Sequence, residues 1–299
     1  MAIVCAIVNQ KGGVGKTTSA ATIAHGLALQ KLTVALIDLD PQGNLALSLG
    51  LPERSDVAQA MNTDVEPGEL LRPADRPEVS LFRPGLWLLA GNSTTGGAWT
   101  ERLMADDAPI DLLTQFLPAY TPKSAGRRKE LDVIIVDTGP TVGGLQEIAM
   151  YAADQVIIPT ELDFMSASQV LKTLKTLAKI RAQSLQDRGK GPTLLGVLPT
   201  RVDPQTSLAT TILSDLRLQL REVLDLPGED EEDDASLGGV LMPPIRHSVV
   251  FGEAAALQRT IWEYRPRRPD KRDMVARAQA DYAVPVWRIG DHARAARRH

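Results

Sequence analysis

Eight residues near the N-terminus, Lys11-Gly12-Gly13-Val14-Gly15-Lys16-Thr17-Thr18, constrain this chain more than any other feature. They stand between an apolar run at residues 2–8 and a stretch at 17–30 that carries Ala20, Ile23, Ala24, Leu27 and Ala28 at helical spacing. A glycine loop between a buried strand and a helix lets successive backbone N–H groups converge on phosphate oxygens, and the helix adds the positive end of its dipole. Within such a loop, Lys16 can reach the β- and γ-phosphates of a nucleotide and the Thr17 hydroxyl can ligate Mg²⁺. The loop departs from the common G-x-x-x-x-G-K-[ST] pattern, because Gln10 holds the place of the first glycine and a second lysine, Lys11, follows it. A flexible cation at the rim has no evident role at the loop's own nucleotide, and is expected to reach another phosphate group.

The rest of the chain repeats the strand and helix alternation. Near-continuous apolar runs at residues 33–37, 86–89, 133–136, 156–158 and 194–198 have the character of strands covered on both faces. Helical patterns at 166–186, with Ser166 as its cap, and at 206–224 separate later members of the set. The expected fold is α/β: a doubly wound, mostly parallel sheet flanked by helices on both faces. Residues 52–84, rich in Pro and Asp, read as short helices and loops. The expected division is a nucleotide-binding domain at 1–266 and a basic C-terminal helix or tail at 267–299, packed on that domain or extending from it.

Composition removes several alternatives. The longest apolar runs fall far short of the roughly 18 residues needed to span a bilayer. The first eight residues lack a basic leader and read as a strand, so the expected location is cytoplasmic. A single cysteine, Cys5, excludes an intrachain disulfide and cannot ligate an iron–sulfur cluster. The formal charge of −4 is uneven: residues 265–299 hold ten Lys/Arg against four Asp/Glu, and the first 264 residues hold 23 against 33. Glu229 to Asp234 is an unbroken acidic run, read as a solvated loop or as an electrostatic gate.

The loop resembles, residue for residue, the deviant Walker A loop of the ParA and MinD ATPases, whose pattern is K-G-G-x-G-K-T-T, and the chain is most similar to the small Soj-like partition ATPases. The segment Leu36-Ile37-Asp38-Leu39-Asp40-Pro41-Gln42-Gly43-Asn44 resembles their first switch, and Val133-Ile134-Ile135-Val136-Asp137 their Walker B strand. Further matches are Ala153 to Pro159, Gly196 to Thr200, Gly252-Glu253-Ala254 and Tyr264-Arg265-Pro266, so the resemblance covers about residues 1–266. It implies binding of ATP and Mg²⁺ by residues 11–18, with Mg²⁺ held by Thr17 and Asp137. It implies an ATP-sandwich homodimer in which Lys11 contacts the partner's nucleotide, and slow hydrolysis with Lys11, Lys16 and Asp40 as the catalytic set, Asp40 orienting the attacking water. Asp40 also reads as an N-cap for a helix starting near Asn44, and Asp38 as a charge partner for Lys11.

The resemblance further implies a ParB-like or cargo-adaptor activator and nonspecific DNA binding. Arginines that relatives often carry are absent at Gln205, Ser207 and Val250, so DNA contact falls to Arg201, Arg246 and the basic tail, the alternative being that the tail arginines are simply solvated. After Asp137 the sequence Thr138-Gly139-Pro140-Thr141 replaces the usual Cys-Pro-Pro-Ser. His247, in the segment that helps hold adenine in relatives, reads as a local surface or packing residue and not as a catalytic base. Pro285 is expected to interrupt any helix in the tail, and membrane binding is disfavoured. The chain starts at its first strand, so no operator-binding helix-turn-helix is expected. The readings in competition with a partition ATPase are an ATP-dependent metabolic enzyme of the same fold, a MinD-like positioning ATPase, and a nucleotide-binding scaffold with little turnover.

Overall fold

Side chains alternate between the two faces of a strand, so a run that is apolar at every position needs cover on both sides. Residues 34–37 and 133–136 follow this rule: Ala35, Ile37, Ile134 and Val136 feed one hydrophobic cluster, while Val34, Leu36, Val133 and Ile135 feed another on the opposite face. The computed structural model describes residues 2–62, 67–104, 109–117, 123–124, 127–128, 130–140, 144–163, 165–224 and 239–298. The acidic run at 229–234 and Thr141 lie outside the described residues.

The strands are β1 (Ile3–Ile7), β2 (Val34–Asp38), β3 (Arg72–Pro73), β4 (Leu86–Leu89), β5 (Lys123–Ser124), β6 (Arg127–Arg128), β7 (Val133–Asp137), β8 (Gln155–Glu161) and β9 (Thr193–Thr200). Seven of them form one sheet in the order β3-β4-β2-β7-β1-β8-β9, and β5 pairs with β6. All pairings in the large sheet are parallel except β3 with β4. The helices are α1 (Lys16–Leu29), α2 (Asn44–Ser48), α3 (Asp56–Asn62), α4 (Pro67–Leu70), α5 (Ser93–Met104), α6 (Leu112–Phe116), α7 (Gly144–Ala152), α8 (Ser166–Arg188), α9 (Ser207–Val223), α10 (Val249–Ala256), α11 (Arg272–Asp281) and α12 (Ala283–Ala296). One cluster joins the sheet to α3, α5, α7, α8 and α9; the other joins it to α1 and α12. The doubly wound α/β sheet is therefore as expected.

Three local expectations change. Residues 52–84 hold α3 and α4 but also the edge strand β3, where a proline is tolerated because it owes no ladder hydrogen bond on its outer side. Helix α8 begins at Ser166, with Met165 and not Ser166 at its cap position. Pro285 does not interrupt the tail: it falls in the first turn of α12, where its missing N–H costs no intrahelical bond. The helix then packs so closely on α1 that a Cβ on Gly26 would lie 2.7 Å from Val286 Cγ2. Among the described residues, no helix is long and apolar enough to cross a membrane.

A buried polar network ties α1 to the segment before α11. Arg83, whose side chain is fully buried, donates to both Glu263 oxygens at 2.7 and 3.1 Å and to the carbonyls of Leu49 and Ala74 at 3.0 and 2.7 Å. Burial alone would raise the Glu263 carboxyl, but the Arg83 guanidinium holds it below its ordinary value. His25 Nδ1 meets Thr260 Oγ1 at 2.7 Å and lies 3.9 Å from Glu263. Burial pushes the His25 imidazole down to about 4, so the folded protein keeps it neutral. An unfolded histidine takes up its proton near pH 6.5, so His25 contributes fully to stability above that pH, and its contribution is lost as pH falls toward 4. Urea denaturation at pH 7 and pH 5 is expected to show the wild type losing about 2 kcal/mol more than His25→Asn. Equal losses in both proteins would show that this imidazole is not the titrating group.

Candidate functional site

Strand register builds the site. β1 pairs with β7 so that Ile7 stands beside Asp137, and β7 pairs with β2 so that Asp38 stands beside Asp137 on the other side. Three neighbouring parallel strands thus end level, and their following segments converge: the glycine loop after β1, Asp38 to Asp40 at the end of β2, and Asp137 to Pro140 at the end of β7. This is the carboxyl edge of the sheet, where doubly wound folds bind ligands.

The loop requires its glycines. Gly13 and Gly15 have φ of +81° and +80°, a left-handed region that side chains with a Cβ avoid. Among the described residues, the N–H groups of residues 12–18 have no hydrogen-bond partner, and α1 starts without a side-chain cap or an acid in its first turn. Unpaired N–H groups at a helix start form a receptor for an anion. Lys16 is only 6% exposed, and its Nζ donates to the Lys11 carbonyl at 2.8 Å, which folds its side chain back over the loop. Burial lowers the Lys16 pKa, and Asp137 and Asp40 push it back upward. From the far side, Thr200 Oγ1 donates to the Val14 carbonyl at 3.0 Å.

The carboxylates have separate tasks. Asp137 is fully buried, and neither of its oxygens completes a hydrogen bond. Burial pushes its pKa up to about 7, against the nearby Thr17 hydroxyl and Lys16, which lower it. An unsatisfied buried carboxylate beside a threonine hydroxyl fits a divalent cation; Asp137 and Thr17 would hold Mg²⁺, which screens phosphate charge when bound. Among the described residues, no group of three His, Cys, Asp or Glu side chains could hold a metal. Bound phosphate would supply the remaining ligands, the usual arrangement for Mg²⁺.

Asp38 does not hold Lys11. Its oxygens accept the N–H groups of Asp40 at 3.0 Å and Leu45 at 3.2 Å, so it braces the segment that leads from β2 into α2. Burial, then Asp137, holds its pKa well above the carboxylate range. Lys11 instead forms an ion pair with Asp163, just beyond β8. Asp40 is not a helix cap either: Gly43 precedes α2, and Asp40 Oδ1 accepts the Gln42 N–H at 2.9 Å. Gly139 packs against it so tightly that a Cβ there would lie 2.9 Å from Asp40 Oδ1.

Three participants carry no sequence signature. Besides Asp163, these are Asn9, which accepts the Lys11 N–H at 2.9 Å and donates to the Pro159 carbonyl at 2.7 Å, and Gln146 on α7. Beside the start of α1 opens a cavity of about 550 Å³, lined by Gly15 and Thr18 on the loop side and by Arg246, Val249, Phe251 and Tyr282 opposite. The Phe251 and Tyr282 rings meet edge to face, with centroids 6.0 Å apart. Its mixed apolar and polar lining and its size suit a small ligand. His247 is exposed at the rim.

The cations assigned to a polyanion are mostly engaged. Arg201 pairs with Glu161 at 2.8 Å and Arg246 clamps Asp281 through Nε and Nη2. In the tail, Arg297 pairs with Asp132, Lys271 with Glu253 and Arg268 with Asp270, while Arg294 donates to Gln30.

Residues 5–232 match the CobQ/CobB/MinD/ParA nucleotide binding domain. The chain belongs to this family. Within it, the chain is 30% identical to the chromosome-partitioning ATPase Soj of Thermus thermophilus over 264 residues, 88% of this chain and 89% of that protein. It is 31% identical to cobyrinic acid a,c-diamide synthase of Mycobacterium smegmatis, solved with a bound ATP analog and magnesium, at a TM-score of 0.64 covering 85% of this chain and 91% of that one. The Cyanothece McdA(D38A)–ATP complex superposes with a TM-score of 0.71 over 97% of this chain and 96% of that one; at 20% identity this shows the fold. The family thus contains both partition ATPases and a biosynthetic enzyme. Lys16→Ala is expected to weaken nucleotide binding by calorimetry about a hundredfold, the effect of losing a hydrogen bond of ~3 kcal/mol to a charged group. Unchanged affinity would remove the loop from the nucleotide site.

Proposed function

We propose that this protein is a ParA-type ATPase. It binds ATP·Mg²⁺ with residues 11–18, Thr17 and Asp137, closes face to face on a second copy around two nucleotides, and hydrolyses ATP slowly to drive partition or positioning of DNA or another cargo. The observation that carries this reading is the division of labour between the two loop lysines. Lys16 folds over its own loop, whereas the Lys11 ammonium sits outside it, on a carboxylate that is 46% exposed. A cation so placed can leave Asp163 for a stronger anion on a facing molecule.

In the reacting complex the free N–H groups of the loop and Lys16 carry the phosphates. Two acids, Asp40 and Asp137, act on that single buried lysine and a third, Asp38, stands beside Asp137, so the site needs Mg²⁺ to accept a polyanion. Asp40 orients the attacking water, and Gly139 keeps the second switch, the segment 138–140 that follows β7, against it. The base enters the cavity between Thr18 and Phe251. The reading as an ATP-dependent biosynthetic enzyme keeps the same phosphate site and gives Lys11 no partner nucleotide to contact.

Two variants separate these readings. Lys11→Ala is expected to keep ATP binding by the monomer and to lose ATP-induced dimerisation by light scattering. Asp40→Ala is expected to bind ATP and to accumulate as a dimer with turnover reduced at least about a hundredfold. Normal dimers from Lys11→Ala, or wild-type turnover in Asp40→Ala, would overturn the assignment.

DNA, as the matrix on which the ATP dimer rests, would be met by the start of the basic tail and a neighbouring arginine, and not by Arg201 or Arg246. Arg201, Arg246, Arg294 and Arg297 have internal partners, whereas Arg259, Arg265 and Arg267 line a shared cleft and have no carboxylate partner among the described residues. Replacing these three with alanine is expected to weaken ATP-dependent binding to unrelated duplexes and to flatten its salt dependence. An unchanged salt slope would rule this cleft out.

A further inference from the structure

Gln146 is a buried amide in a place where an apolar side chain would be cheaper to bury. It stands in the first turn of α7, 3% exposed, and its Nε2 donates to the Gly139 carbonyl at 2.6 Å and to the Asn9 carbonyl at 3.2 Å. A buried amide imposes a desolvation cost that its hydrogen bonds must offset, so such a group specifies which elements it joins. Here it joins two segments that have no strand pairing with each other beyond Ile7 and Asp137: the exit of β1 into the glycine loop and the exit of β7 into the second switch.

Each end of that bridge is coupled to a functional side chain. Asn9, fully buried, receives the Lys11 N–H on its side chain and anchors to Pro159. Gly139 lies against Asp40 with no room for a Cβ. The Asp40 carboxylate is otherwise held on its own segment by the Gln42 N–H. The position of Gly139, and hence the wall against which Asp40 rests, therefore depends on Gln146, with Thr138 adding one hydrogen bond to the Ile7 carbonyl at 2.9 Å.

We propose that Gln146 is a positioning residue for hydrolysis, locking Gly139 to the loop exit so that Gly139 sets the orientation of Asp40. The inference rests on the ATPase reading above. It predicts a loss in turnover separate from any loss in nucleotide binding, because Gln146 touches neither the loop N–H groups nor Thr17.

The test uses the full chain with Gln146→Met, which keeps the volume and removes the donors, and Gln146→Glu, which keeps the length and turns an acceptor toward two carbonyls. Both are expected to hydrolyse ATP about tenfold more slowly, the effect of one lost positioning hydrogen bond. Affinity for a fluorescent ATP analogue should stay within about twofold and the thermal midpoint within a few degrees. Asp40→Ala combined with Gln146→Met should be no slower than Asp40→Ala alone, because both act through one carboxylate. Wild-type turnover in both Gln146 variants, parallel loss of nucleotide affinity, or additive losses in the double variant would each overturn the proposal. A wild-type chain that binds ATP without turnover would instead refute the ATPase reading, and this inference with it.

Discussion

One buried lysine amid three buried acids governs this molecule. Lys16, Asp38, Asp40 and Asp137 meet at the carboxyl edge of three adjacent parallel strands, where little water reaches any of them. Burial disfavours every charge present, lowering the pKa of Lys16 and raising those of Asp38 and Asp137. Such an arrangement is poor as a resting structure and well suited to receiving a phosphate chain with its cation, which adds the ligands that Asp137 lacks and the anions that the loop N–H groups lack. The rest of the fold keeps these groups in place against their mutual cost.

Support comes from two directions. On the sheet side, Asn9, Gln146 and Thr200 are buried polar side chains spent on backbone carbonyls and N–H groups, so the loop and the segment after β7 are held by side chains that do not themselves bear the site's charge. On the helix side, α1 is clasped along its length: Ser19 meets Tyr282, Thr22 accepts the Trp262 indole N–H, and Gly26 admits Val286 at close range. Because α1 begins at the glycine loop, the packing of α12 helps set the direction in which the loop's N–H groups point. The Arg83, Glu263 and His25 network extends that clasp to the far edge of the sheet.

Lys11 shows how a residue conspicuous in sequence takes its meaning from a neighbour that is not. Its partner Asp163 lies 152 positions away and follows β8, the strand beside β1. The pair is partly solvated, so its net contribution to stability is small and it can be exchanged for another anion at modest cost.

The chain's own pattern determined the alternation of strand and helix, the burial of the strands on both faces, the glycine loop and the acids at the ends of β2 and β7, because each rests on local spacing: period two, period 3.6, or glycine at positions of positive φ. It also carried the family resemblance. Tertiary structure decided what local spacing cannot express. It turned Asp38 onto backbone N–H groups and away from Lys11, gave Lys11 to Asp163, and engaged Arg201, Arg246 and Arg297 with carboxylates more than 30 positions distant in sequence. It placed Pro285 in a helix's first turn, where its ring is harmless, and it brought Gln146 between two carbonyls to which no periodicity points. The physical reason is common to all of these: a charge or an amide is neutral to local conformation, and its role is set by whichever partner the sheet order carries within about 3 Å of it.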